Sequence, residues 1–152
     1  MTDLMTITTT TTLTGCGAGG EFYSWHRAAM EGTVSELEYL LGTSHFLLYN
    51  TSVYSWSALT TSVIFDRFEA AQMLLERGAL VNHQDNSLST PLHEAAYWGH
   101  SDMVRLLLDR DADPFLADSQ GHLPLHLVPS PASRVKAMLQ VKYQKQRGGS
   151  HR

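Results

Sequence analysis

The stretch from Thr90 to His100 reads TPLHEAAYWGH, and apolar residues at helical spacing follow it over residues 104–108. The start of this motif returns further along the chain as LPLH at Leu123–His126, so that Leu123 corresponds to Thr90. A period of this length, about 33 residues, is typical of stacked helix–turn–helix units, each of which buries its apolar face only against its neighbours. The chain of 152 residues is therefore expected to form one stack of repeats with short tails.

With this pattern, T-P-L-H-x-A-A-x-x-G-H, the sequence resembles the ankyrin-repeat family. The resemblance implies an all-α fold, a solenoid of stacked helix–turn–helix units with short loops of the β-hairpin type. It also implies that the chain binds another protein, is not an enzyme, takes no cofactor and has no catalytic or metal-binding residues. The motif's histidine, found here as His93 and His126, is expected to hydrogen-bond to backbone between neighbouring repeats.

Four repeats are expected, and they differ in how well they match. Repeat one carries WHRAA at Trp25–Ala29, and repeat two is degraded, with SALT at Ser57–Thr60 in place of TPLH. Repeat four breaks at Pro129, which cannot sit inside a helix, so a new helix is expected with Ser130 as its N-cap. The expected boundaries are a disordered Thr/Gly-rich tail over 1–20, repeats over about 21–50, 51–84, 85–117 and 118–146, and a tail over 147–152.

Three local features depart from the family pattern. Residues 46–49 read FLLY, which predicts an extended apolar finger or a segment packed on the N-terminal tail. Leu88 stands where the loop usually has glycine, so a turn of another type is expected there, because leucine at positive φ is strained. Asp111 replaces the glycine after a helix, and aspartate tolerates the left-handed conformation well enough to serve.

Charge and cysteine content limit the partners. All fifteen acidic residues lie at or before Asp118, with five Lys/Arg among them, and the remaining six Lys/Arg follow. An acidic body repels phosphate and disfavours nucleic acid as a partner. One cysteine, Cys16, allows no internal disulfide and suits a reducing compartment. No membrane span or secretory signal is recognised, so we expect an intracellular protein, cytoplasmic or nuclear.

Binding residues are expected at the loop tips and first helices, on the concave side, as the resemblance implies. Tyr54, Trp56, Phe65, Tyr97 and Trp98 would form an aromatic stripe, although Trp56 and Phe65 have the alternative of filling the interior of repeat two. Exposed aromatic residues in a patch indicate a binding site. Glu94, with Glu31 and Asp66, would add an acidic rim. The other expected partner-binding residues are Arg77, Asn86, Ser87, Ser89, Arg110, Gln120 and His122.

These observations favour an adaptor or regulator that binds a partner segment, as a monomer or as a subunit of a hetero-complex. Two alternatives stay open. A compact stack of about four repeats with an irregular first helix in repeat two is similar to the ankyrin inhibitors of cyclin-dependent kinases. The degraded repeat two and the apolar finger would suit a stabilising subunit of a larger complex. The glycines Gly15, Gly17 and Gly20 spell G-x-G-x-x-G, but polar threonines precede them instead of a strand, so no nucleotide site is predicted.

Overall fold

The computed structural model describes residues 18–49, 51–52, 54–130 and 133–148. Most of the two predicted tails lies outside these residues, as does Pro131. Residues 18–20 and 147–148, expected in the tails, belong to the first and last helices. Seven α-helices are described: α1 (Ala18–Glu31), α2 (Val34–Thr43), α3 (Ala58–Ile64), α4 (Phe68–Glu76), α5 (Pro91–Trp98), α6 (Ser101–Asp109) and α7 (Arg134–Gly148).

The helices stack in two rows, which confirms the all-α repeat fold. The inner row is α1, α3, α5 and a 3₁₀ helix over Pro124–Leu127, each element packed on the next. The outer row is α2, α4, α6 and α7, also packed in sequence. Apart from one isolated antiparallel bridge between Thr51 and Ser57, no β-structure occurs in the described part of the chain. Each unit therefore contacts only its neighbours, as a solenoid requires.

Two apolar clusters hold the stack together. One lies at the N-terminal end around Trp25, Leu37 and Leu74, and the other includes Leu92 and Leu107 with residues of α3 and α7. All five of these side chains are fully buried. These two clusters supply most of the stability, because the individual helices are too short to persist alone in water.

Helix α5 shows why TPLH begins a helix. Thr90 is extended and its hydroxyl accepts from the backbone N–H of His93, while Pro91 occupies the first helical position without needing a donor. The Thr90 N–H in turn donates to His93 Nδ1 at 3.1 Å. Gly99 ends the helix with φ of 76°, a left-handed conformation that glycine adopts without strain.

Two expectations about turns have opposite outcomes. Leu88 does adopt a positive φ of 57°, so the prediction of another turn type is wrong. The reason is that Leu88 N–H donates to Asp85 O at 2.9 Å and closes a tight loop, whose hydrogen bonds outweigh the strain at one residue. Asp111, at φ of 62°, takes the left-handed conformation that was predicted for it.

The segment after α2 is not an extended finger. Residues His45–Tyr49 form a 3₁₀ helix, and Leu47 and Leu48 are buried in the same cluster as Trp25 and Leu37. The expected finger is therefore wrong, because burial of these two leucines against α1 and α2 removes apolar surface that an extended strand would leave in water.

The last helix also begins later than expected. Helix α7 starts at Arg134, and Ser133 Oγ accepts from Lys136 N–H at 3.2 Å, so Ser133 rather than Ser130 caps it. Val135 and Leu139 are buried against α6, as the apolar spacing predicts. Upstream, the 3₁₀ helix stops before Val128, which is extended as expected for a residue that precedes proline.

Candidate functional site: an acidic aromatic groove

Three loops on the inner side of the stack share one geometry. They begin at Ser52, Asp85 and Asp118, which occupy the same position in successive repeats. In each loop the first residue's N–H donates to the carbonyl four residues on, at 2.8–3.0 Å, and its own carbonyl accepts from the N–H three residues on. The residue three positions on has positive φ in every case, 60°, 57° and 80° for Ser55, Leu88 and Gly121.

A side-chain oxygen of the first residue completes each loop. Asp85 Oδ1 accepts from Ser87 N–H at 2.7 Å and from Ser89 N–H at 2.9 Å. Asp118 Oδ1 accepts in the same way from the N–H groups of residues 120 and 122, at 2.9 and 2.8 Å. Ser52 Oγ does the same for residues 54 and 56 at longer distances, 3.3 and 3.2 Å. Side-chain acceptors of this kind fix a turn in one conformation.

The loops are also tied to one another. Ser55 Oγ donates to Asn86 Oδ1 at 2.6 Å, which joins the first loop to the second. Ser119 N–H donates to Ser87 O at 2.9 Å, which joins the second loop to the third. His93 lies beneath, and its Nε2 lies 3.0 Å from His122 O, as the resemblance implied for this histidine. The loops therefore form a continuous edge.

Between this edge and α5 lies a cavity of about 390 Å³, which we call the aromatic groove. Its lining combines three aromatic rings with three carboxylates and small polar residues. It is lined by Tyr54, Trp56, Asp85, Asn86, Ser87, Ser89, Glu94, Tyr97, Asp118 and Leu127.

The aromatic rings of the groove come in pairs and are partly open to solvent. Tyr54 and Trp56 lie with ring centroids 5.0 Å apart, and Tyr97 packs edge-to-face on Trp98 at 5.2 Å. Tyr54 is 62% exposed and Tyr97 is 52% exposed. Trp56 is half-buried, and its indole Nε1–H donates to Asp85 Oδ2 at 3.2 Å, which fixes the ring against the second loop.

The carboxylates of the groove are held in defined positions. Ser89 Oγ donates to Glu94 Oε1 at 2.9 Å. Desolvation raises the pKa of the Asp118 carboxyl, but the N–H groups of His122 and Gln120 outweigh it, so that its pKa lies below the usual value. Burial lowers the pKa of His93 despite these neighbouring carboxylates, which leaves its imidazole neutral at neutral pH. The groove is consequently negatively charged.

The structure brings together six of the twelve residues predicted to bind a partner: Tyr54, Trp56, Asn86, Ser87, Ser89 and Tyr97. Ser89 is buried rather than presented outward. Trp98 is exposed beside Tyr97, just outside the groove. Gln120 and His122 are exposed on the third loop, where His122 Nδ1 lies 3.5 Å from Asp118.

Phe65 and the two arginines lie elsewhere. Phe65 caps the C-terminus of α3 and is 42% exposed, so it does not fill the interior, but no ring pair of the described residues joins it to the other aromatics. Arg77 and Arg110 end α4 and α6 in the outer row. They pair across the stack with Glu38 at 3.0 Å and Glu76 at 3.4 Å, which corrects their expected place beside the aromatic stripe.

Sequence reasoning named Glu94 for the acidic rim but missed Asp85 and Asp118, which line the groove with it. Glu31 and Asp66 do not line it, and Asp66 lies 3.7 Å from His100 instead. The recurrence of aspartate at one position of successive repeats, each time before a polar loop, was the available signal. Leu127 was also missed, because the helix that would place it was expected to break at that point.

The described residues contain no group of three or more His, Cys, Asp or Glu side chains able to hold a metal ion. Among the helices that the structure describes, none combines the length and the apolar content that a membrane crossing needs.

Comparison with known proteins agrees with the fold. A family model described as ankyrin repeats (3 copies) matches residues 25–118 and 80–128. The chain is similar to inversin from Gallus gallus (36% identical over 102 residues) and from Homo sapiens (35% over 102 residues), each match covering 67% of the chain. It is also similar to palmitoyltransferase ZDHHC13 from Mus musculus, 38% identical over 79 residues or 51% of the chain.

These matches cover 9%, 10% and 12% of the respective relatives, so the chain spans about a tenth of the length of the proteins it resembles. The chain belongs to the ankyrin-repeat family, whose repeats are protein-interaction modules and are generally not catalytic.

Proposed function

We propose that the aromatic groove captures an extended segment of a partner protein, and that the chain acts inside the cell as a non-catalytic adaptor or regulator. The observation that carries this proposal is that Tyr54 and Tyr97, which line one cavity, are both exposed. Exposed aromatic side chains around a cavity are typical of binding sites, where they become buried on docking.

The rigidity of the site supports the same proposal. The loops are fixed by side-chain acceptors and tied to one another, and Trp56 is held by Asp85. A site that is already ordered loses less conformational entropy on binding than a flexible one. The groove is also open to solvent rather than enclosed, which suits a chain segment better than a small enclosed molecule.

Each of the two alternative functions loses one of the two features on which it rested. Helix α3 is regular, with Ser57 as its N-cap and seven residues against eight in α5, so nothing irregular in repeat two favours a kinase regulator. The apolar finger that suggested a stabilising subunit is a buried 3₁₀ helix. No specific observation favours either function over the adaptor.

Affinity purification with three forms of the chain tests the proposal. The double variant Tyr54→Ala/Tyr97→Ala is expected to weaken partner binding roughly 30-fold or more, because two hot-spot rings are removed. The matched control is Tyr39→Ala/Tyr49→Ala, which removes two exposed tyrosines, 70% and 59% exposed, that do not line the groove. Proteins that the groove variant loses and the control retains are the partners. Recovery of the same proteins by all three forms would refute the proposal.

A further inference from the structure

The aromatic groove carries negative charge that the chain itself does not neutralise. Asp85, Glu94 and Asp118 line it, and none of the three pairs with a lysine or arginine in the part of the chain that the structure describes. Their basic neighbours there are two histidines: His122, which lies 3.5 Å from Asp118 and is charged only when protonated, and His93, whose pKa is lowered by burial. Carboxylates that line a cavity of low polarity attract a cation more strongly than carboxylates in open water do.

Glu94 is the carboxylate best placed to meet such a cation. Its Oε1 accepts from Ser89, whereas its Oε2 has no hydrogen-bond partner among the described residues. Asp85 differs, because its two oxygens are occupied by two loop N–H groups and by the indole of Trp56. Within the described part of the chain, Glu94 therefore has one carboxylate oxygen without a hydrogen bond, whereas both oxygens of Asp85 already accept hydrogen bonds.

Aromatic rings line the same cavity as this acceptor. Tyr97 follows Glu94 by three residues on α5, a spacing that puts their side chains on the same helix face. Tyr54 and Trp56, whose rings pack together, also line this cavity. A cation that meets the face of one of these rings gains from its negative charge distribution in addition to the carboxylate.

We propose that the aromatic groove seats an arginine side chain of the partner's segment, stacked on the aromatic walls and hydrogen-bonded to Glu94. This inference rests on the proposed function and adds the chemistry of the partner. A guanidinium fits because it is planar, so that it stacks on a ring while its edge donates to a carboxylate. An ammonium brings the same charge without the planar face, and an acidic segment is repelled.

Titration of the whole chain, labelled with nitrogen-15, tests this inference with defined probes. The probes are the peptide acetyl-Gly-Ser-Arg-Ser-Gly-amide and its lysine and citrulline counterparts. Citrulline keeps the shape of arginine and removes the charge. The signal is the indole N–H resonance of Trp56, assigned by its loss in Trp56→Phe, with the buried indole of Trp25 as the internal reference. The arginine peptide is expected to shift Trp56 and to bind at least about fivefold more tightly than either counterpart.

Glu94→Gln is the variant that isolates the charge, since glutamine retains an oxygen for Ser89 Oγ. It is expected to weaken binding of the arginine peptide about fivefold or more. Glu69→Gln is the control, because Glu69 is an exposed acid of α4 that does not line the groove and its loss changes the net charge equally.

Each contrary result overturns a defined part of the inference. Equal binding of the citrulline peptide rejects recognition of charge, and equal binding of the lysine peptide rejects arginine as the occupant. The absence of any shift of Trp56 rejects the inference as a whole. In that last case the proposed function is judged separately, by whether the tyrosine variant loses partners in the affinity purification.

Discussion

Asp85 is the residue on which the site depends most. One buried carboxylate accepts from the N–H groups of Ser87 and Ser89 and from the indole of Trp56, and so fixes a loop and an aromatic wall together. Its counterpart Asp118 closes the next loop but holds no indole. An aspartate at the same repeat position therefore fixes a loop and an aromatic side chain in one repeat and only a loop in the next.

We predict that Asp85→Ala lowers the free energy of unfolding by about 2 kcal/mol and that Asp118→Ala lowers it by about 1 kcal/mol. The two losses differ because Asp85→Ala leaves three donors without a partner, the two loop N–H groups and the indole N–H of Trp56, whereas Asp118→Ala leaves two. Asp85 is also less exposed than Asp118. Urea denaturation of both variants measures it. Equal losses would show that the indole bond contributes nothing to stability.

His93 links the loops to the core through a neutral imidazole. Its Nδ1 accepts from Thr90 N–H, so the proton resides on Nε2, which faces His122 O. Burial lowers the pKa of His93, and hence the unfolded chain takes up a proton first as the pH falls. The stability that the neutral imidazole of His93 contributes is fully present above the pKa of this histidine in the unfolded chain, near 6.5. That contribution is lost as the pH falls towards the lower pKa of His93 in the folded protein.

We predict that the free energy of unfolding decreases between about pH 7.5 and pH 5, a range that lies above the usual carboxyl pKa values. His93→Gln keeps a donor and an acceptor but does not titrate, so its stability should decline less steeply over the same range. His26, whose pKa burial also lowers, supplies the remaining slope in both proteins. Identical slopes would show that His93 does not titrate on unfolding. Chemical denaturation at several pH values measures them.

At the scale of the element, the second repeat shows how a poor motif still folds. Ser57 caps α3 as Thr90 caps α5, and Asp66 takes positive φ in place of glycine. Arg67 Nε donates to Met30 O at 2.8 Å, in the position where His100 Nε2 lies 3.4 Å from Ile64 O. The substituted residues therefore perform the turn and cap functions that the lost motif residues would perform.

This explains which elements sequence reasoning could predict. Helix pairs followed from the repeat period and from caps such as Thr90 and Gly99, because those signals are local. The 3₁₀ helix over His45–Tyr49 and the cap at Ser133 did not follow, because burial of Leu47 and the choice among neighbouring serines depend on tertiary packing. The strained Leu88 was misjudged because its loop's hydrogen bonds were not visible in the motif.

We predict that Leu88→Gly stabilises the protein by about 0.5–1 kcal/mol, because relief of the left-handed strain of leucine should exceed the extra entropy that glycine loses on folding. Leu80→Gly is the control, since Leu80 is similarly exposed but its φ is not positive, and it should destabilise the protein by a similar amount. Thermal unfolding of both variants provides the measurement. Destabilisation by Leu88→Gly would show that its side chain contributes more than its backbone strain removes.

At the scale of the whole molecule, each repeat is stabilised by packing against its neighbours in the stack. Helix α7 covers the C-terminal end of the stack, where it packs on α6 and on the 3₁₀ helix over Pro124–Leu127 and buries Val135 and Leu139. In a solenoid such an end unit can open without unfolding the others. Of the residues that line the groove, Leu127 lies in that 3₁₀ helix, and the others lie in the loops and in α5.

We predict that Leu139→Ala speeds amide exchange throughout Arg134–Gly148 and leaves exchange in α3 and α5 unchanged. The substitution removes a fully buried side chain, a loss typically of about 2–5 kcal/mol, which suffices to release the end helix. Hydrogen exchange followed by mass spectrometry resolves the segments. Faster exchange in every helix would mean that the stack unfolds as a single unit.

The site was less predictable than the fold. Tyr54, Trp56 and Tyr97 were expected together from their repeat positions, and the structure places them around one groove. Arg77 and Arg110 were misplaced because a C-terminal arginine of an outer helix reaches a glutamate of the preceding repeat, a contact that the period alone does not reveal. Side-chain direction across repeats decides such contacts, and a single sequence motif describes only one repeat.

The way each loop is closed has a consequence for how this surface can change. Closure uses main-chain groups and a side-chain oxygen of the first residue, so the side chains two positions further on, Tyr54, Ser87 and Gln120, take little part in it. Residues at those positions can therefore be substituted without a change in the loop backbone. New binding specificities can arise there, by selection or by design, while the scaffold that displays them stays the same.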